Sequence, residues 1–241
     1  MTFAKGVDKA GASEASASYG VTMFKRLFGQ SGPETPDRLA VVRNITVGRT
    51  VRLDPLAWRR MEGESLFTLD RDALEITAQG SVELDGGQFV HRFYTDDHVM
   101  LQGMSDDATG AVSYDFTLYI PWSSAYPPNE AARRRWKDRL SEPVFDGTAE
   151  EVGQWPRFWF AESDARQPPV SFWEEIHDDR KAVTPYARIF QTCMLYARDV
   201  PGGRELMLAI EQEPERKAGR SADVTHEIMV GIPLELAEFD A

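Results

Sequence analysis

Apolar and polar side chains alternate through most of this chain with a period of two, in runs spaced roughly ten residues apart. That is the pattern of antiparallel strands joined by short turns. The alternation predicts strands at residues 40–47, 65–69, 74–84 with a break at Gly80, 88–94, 98–104 and 114–120, the last placing Tyr114, Phe116, Leu118 and Ile120 on one face. It resumes at 157–161, 170–176, 186–198, 205–213 and 224–231. One helix interrupts the series at 129–140. Asn129 can cap it, Glu130 sits in its first turn, and Ala132, Trp136 and Leu140 form a stripe along one side. Its outer face carries Arg133, Arg134, Arg135, Lys137 and Arg139, which reads as a solvated face balancing the surrounding acid. The expected fold is α+β, a predominantly antiparallel β-sheet protein with few helices.

The sharpest local signal is the hairpin at 89–102. Phe89, His91 and Phe93 alternate with Val90, Arg92 and Tyr94, and the alternation resumes after the polar Thr95-Asp96-Asp97. A three-residue loop at 95–97 sets Tyr94 opposite His98, Phe93 opposite Val99 and His91 opposite Leu101. Phe89, His91, Phe93, Val99 and Leu101 then share an apolar face. A two-residue loop is rejected because it mixes polar side chains into that face. The register bears on metal binding, since His91, Asp96, Asp97 and His98 resemble a ligand set for a divalent ion. In the preferred register the histidines project to opposite faces. In the rejected one they lie about 13 Å apart at about 3.3 Å per residue, whereas joint ligation needs both nitrogens about 2 Å from one ion. Asp96 and Asp97 therefore read as turn residues, His91 as a core-edge imidazole bonded once, and no metal site is expected.

A net charge of −12 over 241 residues argues against sequence-independent nucleic-acid binding, because neutralising phosphates needs a basic surface. The single cysteine, Cys193, excludes an internal disulfide and a multi-cysteine zinc site; its apolar neighbours make it a small buried filler. No apolar run reaches the 18 or so residues of a membrane-spanning helix. With no signal-peptide pattern at the N-terminus either, a cytoplasmic location is expected. Residues 1–22, rich in Ala, Ser and Gly, read as a disordered extension, and Met23 offers a second start. Phe24, Leu27 and Phe28 then form a short amphipathic segment closed by Gly29, followed by a Gly- and Pro-containing linker up to residue 37. The body spans 38–241, with a division into subdomains expected, if anywhere, near 125–150.

Most catalytic motifs are missing. The chain has no Gly-rich phosphate loop and no G-x-S-x-G elbow, and His226-Glu227 lacks a second histidine at zincin spacing. Trp173-Glu174-Glu175-Ile176-His177-Asp178-Asp179 is dense in potential ligands, yet a strand end entering an acidic turn explains it equally well. The aromatic run 155–160, with Trp159 in it, could stack on a ligand if exposed; strand-like alternation favours packing. No cofactor is expected.

Val51-Arg52-Leu53-Asp54-Pro55-Leu56, the hairpin with its central Phe93-Tyr94-Thr95-Asp96-Asp97, and Gln191-Thr192-Cys193-Met194-Leu195-Tyr196-Ala197-Arg198 with Glu205-Leu206-Met207-Leu208 together resemble the uncharacterised bacterial family typified by the YjfK protein. The likeness spans about 23–235; the N-terminal extension departs from it. The resemblance implies a cytosolic protein encoded near a phage-shock-protein-A-like membrane-stress protein, small membrane proteins and an ATP-grasp ligase, and it supplies no catalytic residues. The expected role is a non-enzymatic accessory or interaction protein of a bacterial envelope-stress system. Such a protein would contact a phage-shock-protein-A-like or small membrane protein and sit peripherally at the inner membrane. The alternatives are a small-ligand-binding module and a hydrolase or transferase using the Asp, Glu and His clusters. Candidate binding residues are Phe24, Leu27, Phe28, Tyr94, Asp96, Asp97, His98 and Trp159.

Overall fold

Two four-stranded meanders curl toward each other until their edges pair, closing a barrel. In a computed structural model, which describes residues 38–61, 63–215 and 223–241, the first meander is β3 (Ala78–Glu83), β4 (Phe89–Tyr94), β5 (Met100–Ser105) and β6 (Ser113–Ala125). The second is β9 (Val170–His177), β10 (Ala187–Val200), β11 (Gly203–Pro214) and β12 (Thr225–Leu234). The β6–β12 and β3–β9 pairs complete the closure, and every ladder is antiparallel. Closure removes the unpaired edges that an open sheet of this size would expose. The α+β, mainly antiparallel architecture follows from the alternation, but the barrel does not. The extension, the segment with Phe24, Leu27 and Phe28, the linker and most of the loop after residue 214 lie outside the described residues.

Alternation gives each strand a lumen face and an outer face, and both are apolar over long stretches. Inside, Met100, Tyr119, Cys193, Leu195, Leu206, Leu208, Ile210 and Met229 form one cluster. Tyr119 lies so close over Gly231 that a Cβ there would stand 2.4 Å from its ring. Outside, two covers are laid on the barrel wall. One is the sheet of β1 (Thr50–Leu53), β2 (Ala73–Glu75) and β13 (Phe239–Asp240) with the short helix α1 (Leu56–Arg59). It buries Phe93, Leu101, Phe116, Leu118, Val230 and Ile232 against Val51, Trp58, Phe67 and Leu74. The other joins α2 (Glu130–Leu140) to the hairpin of β7 (Val144–Gly147) and β8 (Gly153–Pro156). There Trp136, Leu140, Phe145 and Trp155 cover Met194, Tyr196, Met207 and Ala209. Each fully buried apolar side chain contributes about 1.5–3 kcal/mol, so covering both faces of β10 and β11 explains the unbroken apolar stretches within them.

The helix starts as expected, with the Asn129 side chain accepting the Ala132 N–H at 2.9 Å. Its basic face is not simply solvated. Arg133 bonds Glu211 at 2.8 Å and Glu213 at 2.9 Å, Lys137 lies 3.1 Å from Glu211, and Arg139 holds Glu150 at 2.7 Å. These cations fasten the helix to acidic side chains of β11 and of the 3-10 turn Thr148–Glu150.

Three predicted strands are corrected. Residues 40–47 make a tight reversal instead: Val42 and Ile45 exchange both backbone hydrogen bonds, and Arg43 and Asn44 adopt φ of 48° and 67°. That paired left-handed geometry is the one a two-residue turn requires. Residues 65–69 wrap a buried carboxylate: Glu205 accepts the Ser65 hydroxyl at 2.5 Å and the N–H groups of Leu66 at 2.6 Å and Phe67 at 3.0 Å. Backbone donors engaged there cannot serve a ladder. After β8, residues 157–161 turn around Arg157, whose guanidinium collects the carbonyls of Ser141, Phe160, Ser163 and Ala165. The predicted break at Gly80 is also misplaced, because the chain breaks between β2 and β3 and Gly80 lies within β3.

Candidate functional site

The β4–β5 hairpin reaches the mouth of the barrel, and its register differs from the expected one by two residues. Phe93 pairs with Leu101, Tyr94 with Met100 and His91 with Gly103. The loop does contain three residues, but they are Asp96, Asp97 and His98. The Thr95 N–H donates to the Val99 carbonyl, the His98 N–H returns to the Thr95 carbonyl, and His98 sits at φ 65°. Thr95 stabilises this turn because its hydroxyl donates to Asp97 at 2.5 Å and accepts the Val99 N–H at 3.1 Å. A slip of two leaves side-chain parity unchanged. The predicted face is therefore buried as expected at His91, Phe93, Val99 and Leu101, whereas Phe89, at the start of β4, is only half-buried.

The opposite face of β4 enters the lumen, where it meets a charged cluster. Arg92 Nη1 donates to Glu174 at 2.8 Å and to Gln191 at 2.7 Å, and Arg92 Nε donates to Gln102 at 2.9 Å. Glu174 also accepts the Tyr94 hydroxyl at 2.6 Å and the Gln191 amide at 2.6 Å. The Phe172 ring lies 5.4 Å from the guanidinium. The ion-paired side chains are 3% and 0% exposed. Burial opposes the Arg92 charge, but the adjacent Glu174 carboxylate outweighs it and holds the guanidinium protonated; burial and the same carboxylate push the Tyr94 phenol up. Gly80 is required beside this cluster because a Cβ there would lie 1.8 Å from Glu174 Oε1.

Between the cluster and the open end lies a cavity of about 610 Å³ lined from all eight barrel strands. Met100, Ile176, Ile189, Ile210 and Met229 form apolar wall, with Arg92, Tyr94 and Gln191 at the polar floor. Asp96, His98, Tyr186 and Glu227 also line it, the first three well exposed. Glu227 accepts the Gln212 amide at 2.8 Å and the Thr225 hydroxyl at 3.3 Å, and burial raises its pKa.

Of the candidate residues, Tyr94, Asp96 and His98 meet at this cavity. Asp97 turns away to Arg71 at 2.6 Å, and its carboxyl is lowered to about 2, chiefly by that hydrogen bond. Trp159 is half-buried elsewhere, against the clusters around Trp136 and Leu195. The dense segment 173–179 is divided by the barrel wall, with Glu174 inside and Glu175 and His177 bordering a separate outer cavity. His91 borders that outer cavity too, and its one side-chain partner is Ser105 at 2.8 Å. The two hairpin histidines thus stand on opposite sides of the wall. Cys193 is buried, its thiol pushed up to about 12 by burial. Sequence reasoning missed Arg92, Gln191, Gln212 and Glu227. Their signal was polar residues at period-two positions within otherwise apolar strands.

Among the described residues, no group of three or more His, Cys, Asp or Glu side chains is placed to hold a metal, and no helix is long and apolar enough to cross a membrane. A family model described as "Protein of unknown function (DUF2491)" matches residues 23–240. An uncharacterised protein, YjfK, from Escherichia coli (strain K12) is 23% identical over 161 residues, covering 66% of this chain and 72% of that protein. No solved structure matches.

Proposed function

Starting from a chain that belongs to the family described as protein of unknown function, DUF2491, we propose that it is a small-ligand-binding module whose site is the open end of its barrel. The observation that carries this reading is the cavity of about 610 Å³ with an apolar wall and a polar floor. Pockets for small ligands typically fall between about 300 and 1,000 Å³ and combine apolar lining with a few fixed polar groups. An eight-stranded barrel has a lumen just wide enough to be filled by side chains or to hold one small ligand. Here the lumen does both, filled around Tyr119 and Leu195 and open above Arg92.

The floor suits recognition better than catalysis. Arg92 and Glu174 are bonded to each other and to fixed neighbours, so neither is free to move a proton or attack a substrate. The accessory role in a membrane-stress system is supported by the family resemblance alone, and a ligand-binding module could serve such a role.

The test uses the neutral dye N-phenyl-1-naphthylamine, whose fluorescence rises in apolar surroundings. Saturable binding near one equivalent is expected, with loss in Ile189→Trp, which fills the cavity from a lumen-facing position on β10. Absence of saturable binding to the wild-type protein, or equal binding by Ile189→Trp, would refute the reading.

A further inference from the structure

Resting on that reading, we infer that the barrel site selects an amphipathic amine, with an apolar chain in the lumen and an ammonium at the mouth beside Glu227, over a carboxylate of the same shape. The positive charge at the floor is already paired with a buried carboxylate. Among the described residues, Arg92 is the only Lys or Arg lining the cavity, and its Nε and Nη1 donors are engaged with Gln102, Glu174 and Gln191 while Phe172 packs on its guanidinium. An entering carboxylate would have to share a guanidinium that Glu174 already neutralises, beside that like charge, or remain unpaired in an apolar tube, and either is costly.

The mouth has the opposite bias. Glu227 and Asp96 both line it, with His98 as the facing imidazole. Glu227 is positioned rather than loose, since Gln212 and Thr225 each donate to one of its oxygens. A carboxylate accepts at two oxygens with about four lone-pair sites, so acceptor capacity remains for an ammonium. The raised pKa of Glu227, caused first by burial, fits a carboxyl whose charge lacks a full partner, and an ammonium beside it would supply that partner. Apolar wall below a carboxylate rim matches a molecule with one cationic end.

Decylamine, decanol and decanoate share one chain and differ in charge, so their displacement of N-phenyl-1-naphthylamine at pH 7 separates the contributions. The amine should bind about tenfold more tightly than the alcohol, and the carboxylate more weakly than either. In Glu227→Gln the advantage of the amine over the alcohol should disappear. An alcohol that equals or exceeds the amine, or a carboxylate that binds best, overturns the inference and leaves ligand binding standing. If the dye itself finds no site, both fall together. The wild-type series decides the question even if the variant is poorly folded.

Discussion

Removing the Glu174 carboxylate should be among the most damaging single changes in the barrel. Glu174→Ala strands the Arg92 guanidinium, 3% exposed, without its counter-ion, and it takes the acceptor from the Tyr94 hydroxyl and from the Gln191 amide. Breaking a buried pair in this way costs about 3–5 kcal/mol, against about 1 kcal/mol or less for an exposed pair. That is a large share of the roughly 5–15 kcal/mol that holds a typical domain together. The paired replacement Arg92→Met with Glu174→Leu removes both charges and should lie near wild type or above it, because two desolvation penalties disappear along with one attraction. Urea unfolding of wild type, Arg92→Met, Glu174→Leu and the paired replacement, followed by circular dichroism and tryptophan fluorescence, gives the four corners of a double-mutant cycle, with constant slopes checking that the states compared are the same. A cost below about 1 kcal/mol for Glu174→Ala, or effects that simply add, would refute the reasoning and mean that water reaches the pair.

The helix clamp should govern part of the acid sensitivity. Burial alone would raise Glu211, yet hydrogen bonds from His226, Arg133 and Lys137 bring it down to about 2 from its ordinary 4.5. A carboxyl depressed in the folded state contributes stability above pH 4.5 that is lost as pH falls toward 2, here on the order of 3 kcal/mol. Glu211→Gln should flatten stability measured by urea titration between pH 5 and 2, and an unchanged slope would contradict this. Phe93→Ala should cost about 3–5 kcal/mol and Asp97→Ala about 1 kcal/mol or less; similar small losses for both would mean that the outer face of the hairpin is not buried. Gly80→Ala should cost about 1–3 kcal/mol by overpacking against Glu174, while Ser81→Ala, at an exposed position, should stay within about 0.5 kcal/mol. Equal melting points for those two variants would show that Glu174 can move aside.

The sequence by itself determined the things that depend on local period and local chemistry. Parity along the hairpin of β4 and β5 and its flanking residues selected the buried set Phe93, Val99 and Leu101, and it survived a pairing error because a two-residue slip returns each side chain to the same face. The helix was legible from Asn129 and its apolar stripe, since cap and stripe both lie within one segment. Residues 65–69 were not, because the acceptor that draws their N–H groups off a ladder is Glu205, distant in sequence. The site itself was decided by closure. Arg92, Glu174, Gln191 and Glu227 stand on four different strands, and only the β6–β12 and β3–β9 pairings bring their faces into one lumen. In strands such as β10 and β11, apolar residues fill both faces because the lumen and the outer covers bury them equally. Alternation can say that two faces exist, but which one encloses a cavity follows only from the way the sheet meets itself.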